Sequence, residues 1–132
     1  MSTSYAIIIK PYAQRHYIKN FEKKYKGAWD VTWRAVVEEF KRIDSLLQIS
    51  IASEINDRDN IKICKTEFRV AGTKESRKSS GNRCIIAINK EIGVIYVLLV
   101  YHKNDLGNGN ETAAWKNMIK ENYPEYRNIL TL

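Results

Sequence analysis

The chain of 132 residues has few of the side chains that build metal sites or disulfide frameworks. It contains two cysteines, Cys64 and Cys84, and two histidines, with no CxxC spacing and no cluster of histidines beside either cysteine. This scarcity excludes a recognisable zinc motif, and we expect neither a metal ion nor a cofactor. Each cysteine lies in an apolar, strand-like run. The alternatives are a disulfide between them or two buried, unreactive thiols, and the sequence favours the thiols and a reducing compartment.

Long apolar runs and flexible tracts are also missing. The longest apolar runs, such as Ile92 to Tyr101, are too short to cross a bilayer. The amino terminus has no basic segment followed by an apolar one, so secretion is not indicated. With six glycines and two prolines, the chain shows no linker, repeat or low-complexity tract. We therefore expect one domain over residues 1–132, located in the cytoplasm and making no membrane contact.

The chain does have a concentrated positive charge. The formal net charge is +7, and residues 62–90 contain eight Lys/Arg against two Asp/Glu, so +6 of the total lies in 29 residues. A basic excess of this kind is typical of proteins that bind a polyanion. A solvated lysine-rich face is the alternative that charge alone leaves open.

The amino-terminal half predicts a strand followed by two helices. Residues 5–10 form a β-branched run that ends at a proline. Apolar residues recur at helical spacing over residues 13–26, and Gly27 ends this segment. Asp30 has the chemistry of an N-cap, and a second amphipathic helix extends from it to about Leu47. The short glycine-containing turn predicts a helical hairpin.

The carboxy-terminal half predicts strands and a final helix. Polar residues 56–60 predict a turn, and residues 62–70 alternate as a half-buried strand. A polar loop, residues 71–81, precedes two apolar runs within residues 83–101 that form a hairpin. Residues 111–122 predict a helix.

This order of elements predicts an α+β fold. We expect a small, mostly antiparallel sheet of about four strands, packed by the amino-terminal helical hairpin, with an extra carboxy-terminal helix. The right-handed twist of such a sheet should curve it and leave one side concave.

The most informative motif is the basic loop together with the strands after it. Lys78-Ser-Ser-Gly-Asn-Arg83 leads into an apolar strand, a short turn and the run Ile95-Tyr-Val-Leu-Leu-Val-Tyr-His-Lys-Asn104. Over about residues 68–105 this pattern resembles the core of RelE/HigB toxins of type II toxin–antitoxin systems, within the RelE/ParE superfamily. Glu75 within the loop and the long extension after Lys103 depart from that pattern.

The resemblance implies a metal-independent endoribonuclease that cleaves mRNA, with ribosome dependence expected, and that a cognate antitoxin restrains. Attack by a ribose 2′-hydroxyl needs a base, a cation on the pentacoordinate phosphate and an acid for the leaving oxygen. Arg83 matches the position that would stabilise the phosphate, because the forked geometry of its guanidinium suits a phosphoryl group. The resemblance suggests the remaining catalytic candidates, which are Lys78, Tyr101, His102 and Lys103. Phosphate contacts that hold the RNA backbone are expected from Arg69, Lys74, Arg77 and Lys78.

Other functions remain compatible with the same residues. A ParE-like protein would share the scaffold and act on DNA gyrase, although the dense cationic set disfavours that interpretation. A non-catalytic RNA-binding or ribosome-associated module would use the basic stretch to bind phosphate alone, and a degenerate toxin would bind without cutting. Trp29, Trp33 and Trp115 are interpreted as core or partner surface, and His16 is given no role.

Overall fold

A computed structural model describes residues 5–43, 52–58, 61–107 and 109–130, with residues 52–58 described by their backbone. Strand β1 (Ala6–Ile9) precedes a helix, α1, over residues 11–24, which consists of Pro11–Ala13, a π-helical turn Gln14–Ile18 and Lys19–Lys24. The later elements are α2 (Trp29–Phe40), β2 (Ala52–Arg58), β3 (Ile61–Phe68), β4 (Asn82–Asn89), β5 (Val94–His102), α3 (Glu111–Asn122) and α4 (Arg127–Leu130).

The five strands form a single sheet in the order β1-β5-β4-β3-β2. Strand β1 is parallel to β5, and the other neighbouring pairs are antiparallel. The α+β class and the mostly antiparallel sheet are thus confirmed. The fifth strand is β2, which contains Asn56 and Asp57, so the predicted turn over residues 56–60 is wrong where the structure describes it. Polar residues in an edge strand resemble a turn in sequence, since such a strand needs little apolar surface.

Helices pack on both faces of the sheet. On one face, the helical hairpin contributes Phe21, Trp29 and Phe40 to a core that also holds Cys64 and Cys84. On the other face, α3 and the segment after it bury a second set of apolar residues against β4 and β5, which includes Trp115, Ile119, Tyr126 and Leu130. The sheet is therefore covered on both faces, because the carboxy-terminal extension packs on the face opposite the helical hairpin.

The predicted helices are confirmed, with changes at their ends. Helix α3 spans the predicted residues 111–122 and is capped by the Asn110 side chain, which accepts a hydrogen bond from the amide of Ala113 at 3.1 Å. Helix α2 begins at Trp29 with Ala28 as its N-cap, so Asp30 lies in the first turn and is not the cap. Helix α2 ends at Phe40, before the predicted end at Leu47, which lies outside the described residues.

The two cysteines are buried free thiols, as predicted. Burial raises the pKa of Cys64 to about 12, and it also raises the pKa of Cys84. Both thiols pack in the core beneath the helical hairpin. At neutral pH both thiols are therefore protonated, which is the unreactive form of a cysteine.

Candidate active site

Arg83 lies at the start of β4, between two polar partners on neighbouring strands. The strand register places Glu67 of β3 and Tyr101 of β5 directly opposite it. Residues that are paired across antiparallel strands point to the same face of a sheet. These three side chains therefore meet on the face that α3 covers.

The carboxy-terminal helix adds a second carboxylate to this group. Glu111 is the first residue of α3, and its Oε2 lies 3.5 Å from Arg83 Nε and 3.7 Å from Lys65 Nζ. The Tyr101 hydroxyl donates a hydrogen bond to the same Oε2 at 2.8 Å, and Glu67 Oε1 lies 4.0 Å from Arg83 Nε. We call Lys65, Glu67, Arg83, Tyr101 and Glu111 the Arg83 cluster.

The guanidinium of Arg83 is buried, with 5% of the residue exposed. Its terminal nitrogens donate to the carbonyl of Asn82 at 3.2 Å and that of Lys78 at 3.4 Å. Within the described part of the chain, Nε faces the two carboxylates and forms no hydrogen bond. The carbonyls of β4 and of the basic loop thus fix the orientation of the guanidinium, and its Nε–H remains available for an anion.

Tyr101 is held in its protonated form. Burial raises the pKa of its phenol far above the ordinary value, and the hydrogen bond to Glu111 adds to the rise. A phenol in this state donates a hydrogen bond to Glu111, and while that contact lasts it is a weaker acid than an ordinary tyrosine. The Arg83 cluster therefore combines a fixed cation, carboxylates that accept protons and a phenol that donates one, which are the three groups needed for general acid–base chemistry on a phosphodiester.

His102 lies on the opposite face of the sheet from Arg83 and Tyr101. It is the last residue of β5, is paired with Asn82, and faces α1. Its Nδ1 accepts a hydrogen bond from the Asn104 amide at 3.1 Å, so the neutral ring carries its hydrogen on Nε2. The structure does not bring His102 together with the predicted catalytic residues Arg83 and Tyr101, because successive strand residues point to opposite faces.

The remaining predicted residues lie on or beside the basic loop. The side chains of Arg69, Lys74, Lys78 and Lys103 are exposed, and the Lys103 amide donates to the Gly81 carbonyl at 2.8 Å, which joins the loop to the end of β5. These cations therefore surround the same end of the sheet. They form a surface that is free to contact a polyanion.

Arg77 differs from the other loop cations. Its guanidinium makes a two-pronged ion pair with the Glu39 carboxylate of α2, and this contact raises the pKa of Arg77. The loop hydroxyls are also engaged, since Ser80 Oγ donates to the Phe68 carbonyl at 2.7 Å. Arg77 thus anchors the loop to the helical hairpin, a contact that competes with its predicted role in holding RNA.

Sequence reasoning missed Glu67, Glu111 and Lys65. Glu67 was recognised as part of an alternating strand, but its position opposite Arg83 follows from the β3–β4 register, which the sequence does not specify. Glu111 reaches the site from 28 residues further along the chain. The one available signal was an acidic residue in the first turn of a helix, which is a common feature of helix ends.

Comparison with known proteins identifies no relative for the chain. No family model, curated protein or solved structure matches it. In the described residues, no helix is long and apolar enough to span a membrane.

Proposed function

We propose that the chain is an mRNA-cleaving toxin of the RelE/HigB kind, a metal-independent endoribonuclease that acts on translated messages in the cytoplasm. The observation that carries this proposal is the Arg83 cluster, in which a buried guanidinium lies within 4.0 Å of two carboxylates and one of those carboxylates binds a protonated phenol. Cleavage of a phosphodiester by a ribose 2′-hydroxyl needs a cation, a base and an acid together.

The groups of the cluster suggest a division of roles. Glu67 takes the proton from the ribose 2′-hydroxyl, whose oxygen attacks the adjacent phosphorus. Arg83 stabilises the charge that develops on the pentacoordinate phosphate. Tyr101 gives its proton to the departing 5′-oxygen, so the products are a 2′,3′-cyclic phosphate and a free 5′-hydroxyl.

Glu111 occupies the position next to Arg83 Nε that a phosphate would need. Its carboxylate lies 3.5 Å from Nε and has 24% of its side chain exposed. Gly107 and Gly109 precede α3, and glycines permit the backbone to rearrange. We propose that the RNA phosphate replaces Glu111 at Arg83 and releases the Tyr101 hydroxyl for proton transfer.

The exposed cations give the substrate a path to the cluster. Arg69, Lys74, Lys78 and Lys103 are suited to several phosphates of one strand, and release of counterions should make binding fall steeply with salt. Contacts with the ribosome would use the same surface. A cognate antitoxin with an acidic contact region would complement this surface and block it.

The test is expression from a tightly repressed promoter with mapping of new RNA 5′ ends. We expect the parent chain to arrest growth and to cut inside translated regions, and Tyr101→Phe and Glu67→Gln to do neither while they remain folded. Arg34→Ala, a substitution of an exposed arginine on α2, is the matched control and should behave as the parent. Growth arrest without new cuts would contradict the proposal and favour the gyrase-directed alternative. Full cutting by both cluster variants would refute the assigned site.

A further inference from the structure

A second polar site lies on the other face of the sheet. A groove of about 430 Å³ runs between α1 and the adjoining ends of β4 and β5. This volume falls in the range of small-molecule sites. Both histidines of the chain, His16 and His102, line it. The Arg83 cluster uses neither residue, so the groove needs a separate explanation.

The groove contains a buried polar group that lacks a partner. Asn82 is 4% exposed, and its Oδ1 makes no hydrogen bond to any described residue. A buried acceptor without a donor is unfavourable, and such groups are rare in folded proteins. Oδ1 is enclosed, so a rotation of the amide about χ2 is needed to present it to the groove, where a ligand's N–H could satisfy it.

Aromatic rings line the same groove as this amide. Tyr17 and Phe21 of α1 line the groove, and the His102 ring lies against Gly81, where an added Cβ would come within 2.5 Å of Nε2. His16 and Tyr17 belong to the π-helical turn Gln14–Ile18, a feature that is frequent at functional sites. Rings beside an amide favour a flat, polar ligand that can stack and form hydrogen bonds.

The chemistry of the groove is that of a nucleobase site. An asparagine amide pairs with adenine by accepting from the N6 amino group and donating to N7, and the unpartnered Oδ1 is the acceptor that this pairing needs. The same edge of hypoxanthine or guanine presents O6, an acceptor that would face Oδ1 unfavourably. Lys24 is exposed at the rim and provides a cation for a phosphate.

We propose that this groove, defined by His16, Tyr17, Phe21, Lys24, Asn82 and His102, binds an adenine nucleotide, with Asn82 reading the base. The inference does not rest on the proposed ribonuclease function, since the groove and the Arg83 cluster lie on opposite faces. It would give the chain a ligand site in addition to its basic RNA-binding surface.

The two histidines make the test direct. Each gives one set of imidazole NMR signals, so both can be followed while adenosine 5′-monophosphate is added to the full chain. We expect saturable shifts of both, with a Kd of about 1 mM or below. Inosine 5′-monophosphate differs at the N6 position and should bind roughly 5- to 100-fold more weakly, the discrimination typical of one amide–base pair. Equal binding of the two nucleotides, or shifts without saturation, would overturn the proposal.

Variants separate this site from the active site. Asn82→Leu keeps the branched shape of the side chain, removes its amide and should abolish the preference for the adenine nucleotide. Asn117→Ala, at an exposed asparagine of α3, should bind as the parent does. If Asn82→Leu does not fold, the difference in affinity of the parent chain for adenosine and inosine 5′-monophosphate still tests the proposal. Tyr101→Phe should lose RNA cleavage and keep nucleotide binding. RNA cleavage with no nucleotide binding would refute this inference alone, and binding with no cleavage would refute the ribonuclease proposal alone.

Discussion

Replacement of Arg83 by methionine tests whether the cluster depends on a buried positive charge. Methionine retains an unbranched stem of similar length, so the change removes the charge with little loss of packing. The variant leaves Glu67 and Glu111 beside each other without their common cation, with 20% and 24% of their side chains exposed. Removal of one partner of a buried ion pair costs about 3–5 kcal/mol. The partial exposure of both carboxylates places the expected loss near the lower end, at about 3 kcal/mol.

The measurement is urea unfolding at neutral pH, followed by tryptophan fluorescence. A domain of this size has a free energy of unfolding of about 5–15 kcal/mol, so the variant should fold with a lower midpoint. Addition of Glu111→Gln to Arg83→Met should restore roughly 1–2 kcal/mol, because it neutralises one of the two carboxylates that have lost Arg83. In the parent background, Glu111→Gln alone should be mildly destabilising.

Two results would refute this reasoning. An Arg83→Met variant within about 0.5 kcal/mol of the parent would mean that the guanidinium contributes no net electrostatic stabilisation at this position. A Glu111→Gln substitution that destabilises the parent and Arg83→Met equally would show that Arg83 and Glu111 are not coupled.

Three further outcomes are expected from the same structure. Tyr101→Phe removes the 2.8 Å hydrogen bond to Glu111. It should lower the rate of RNA cleavage by about 10²-fold or more and lower the free energy of unfolding by about 1–3 kcal/mol. An unchanged cleavage rate on synthetic RNA would exclude Tyr101 as the acid. Trp115→Ala empties a fully buried site in the core beneath α3 and should cost about 3–5 kcal/mol in urea unfolding, whereas a small loss would mean that α3 contributes little to the fold. The folded pKa of Cys64 is raised from 9.0 to about 12. The protonated thiol therefore stabilises the fold below pH 9, and this contribution is lost as the pH rises from about 9 to about 12. The loss of stability with pH should be smaller in Cys64→Ala, and a pH profile that is the same in both proteins would contradict this prediction.

Periodicity and local chemistry were sufficient for most of the secondary structure. The β4–β5 hairpin and α3 were predicted because their apolar patterns are strong. The Asn110 cap of α3 is a finding of the structure that the prediction did not use. The edge strand β2 was missed because its sequence has the composition of a turn. Local propensity is decisive only where pattern and boundary signals agree.

The candidate site was predicted in part. Arg83 and Tyr101 were recognised and lie together, but His102 was assigned to the same site and lies on the other face. The reason is that Tyr101 and His102 are successive residues of β5, and the side chains of successive strand residues point to opposite faces of the sheet.

Sequence by itself thus determined the class of fold, the buried thiols and the concentration of positive charge, because these depend on composition and on patterns a few residues long. The tertiary structure decided which charged groups meet. It brought Glu67 and Glu111 to Arg83, paired Arg77 with Glu39, and placed α3 on the face of the sheet opposite the helical hairpin. Those contacts join residues that are distant in the chain, so they depend on strand register and helix packing, which local sequence does not encode.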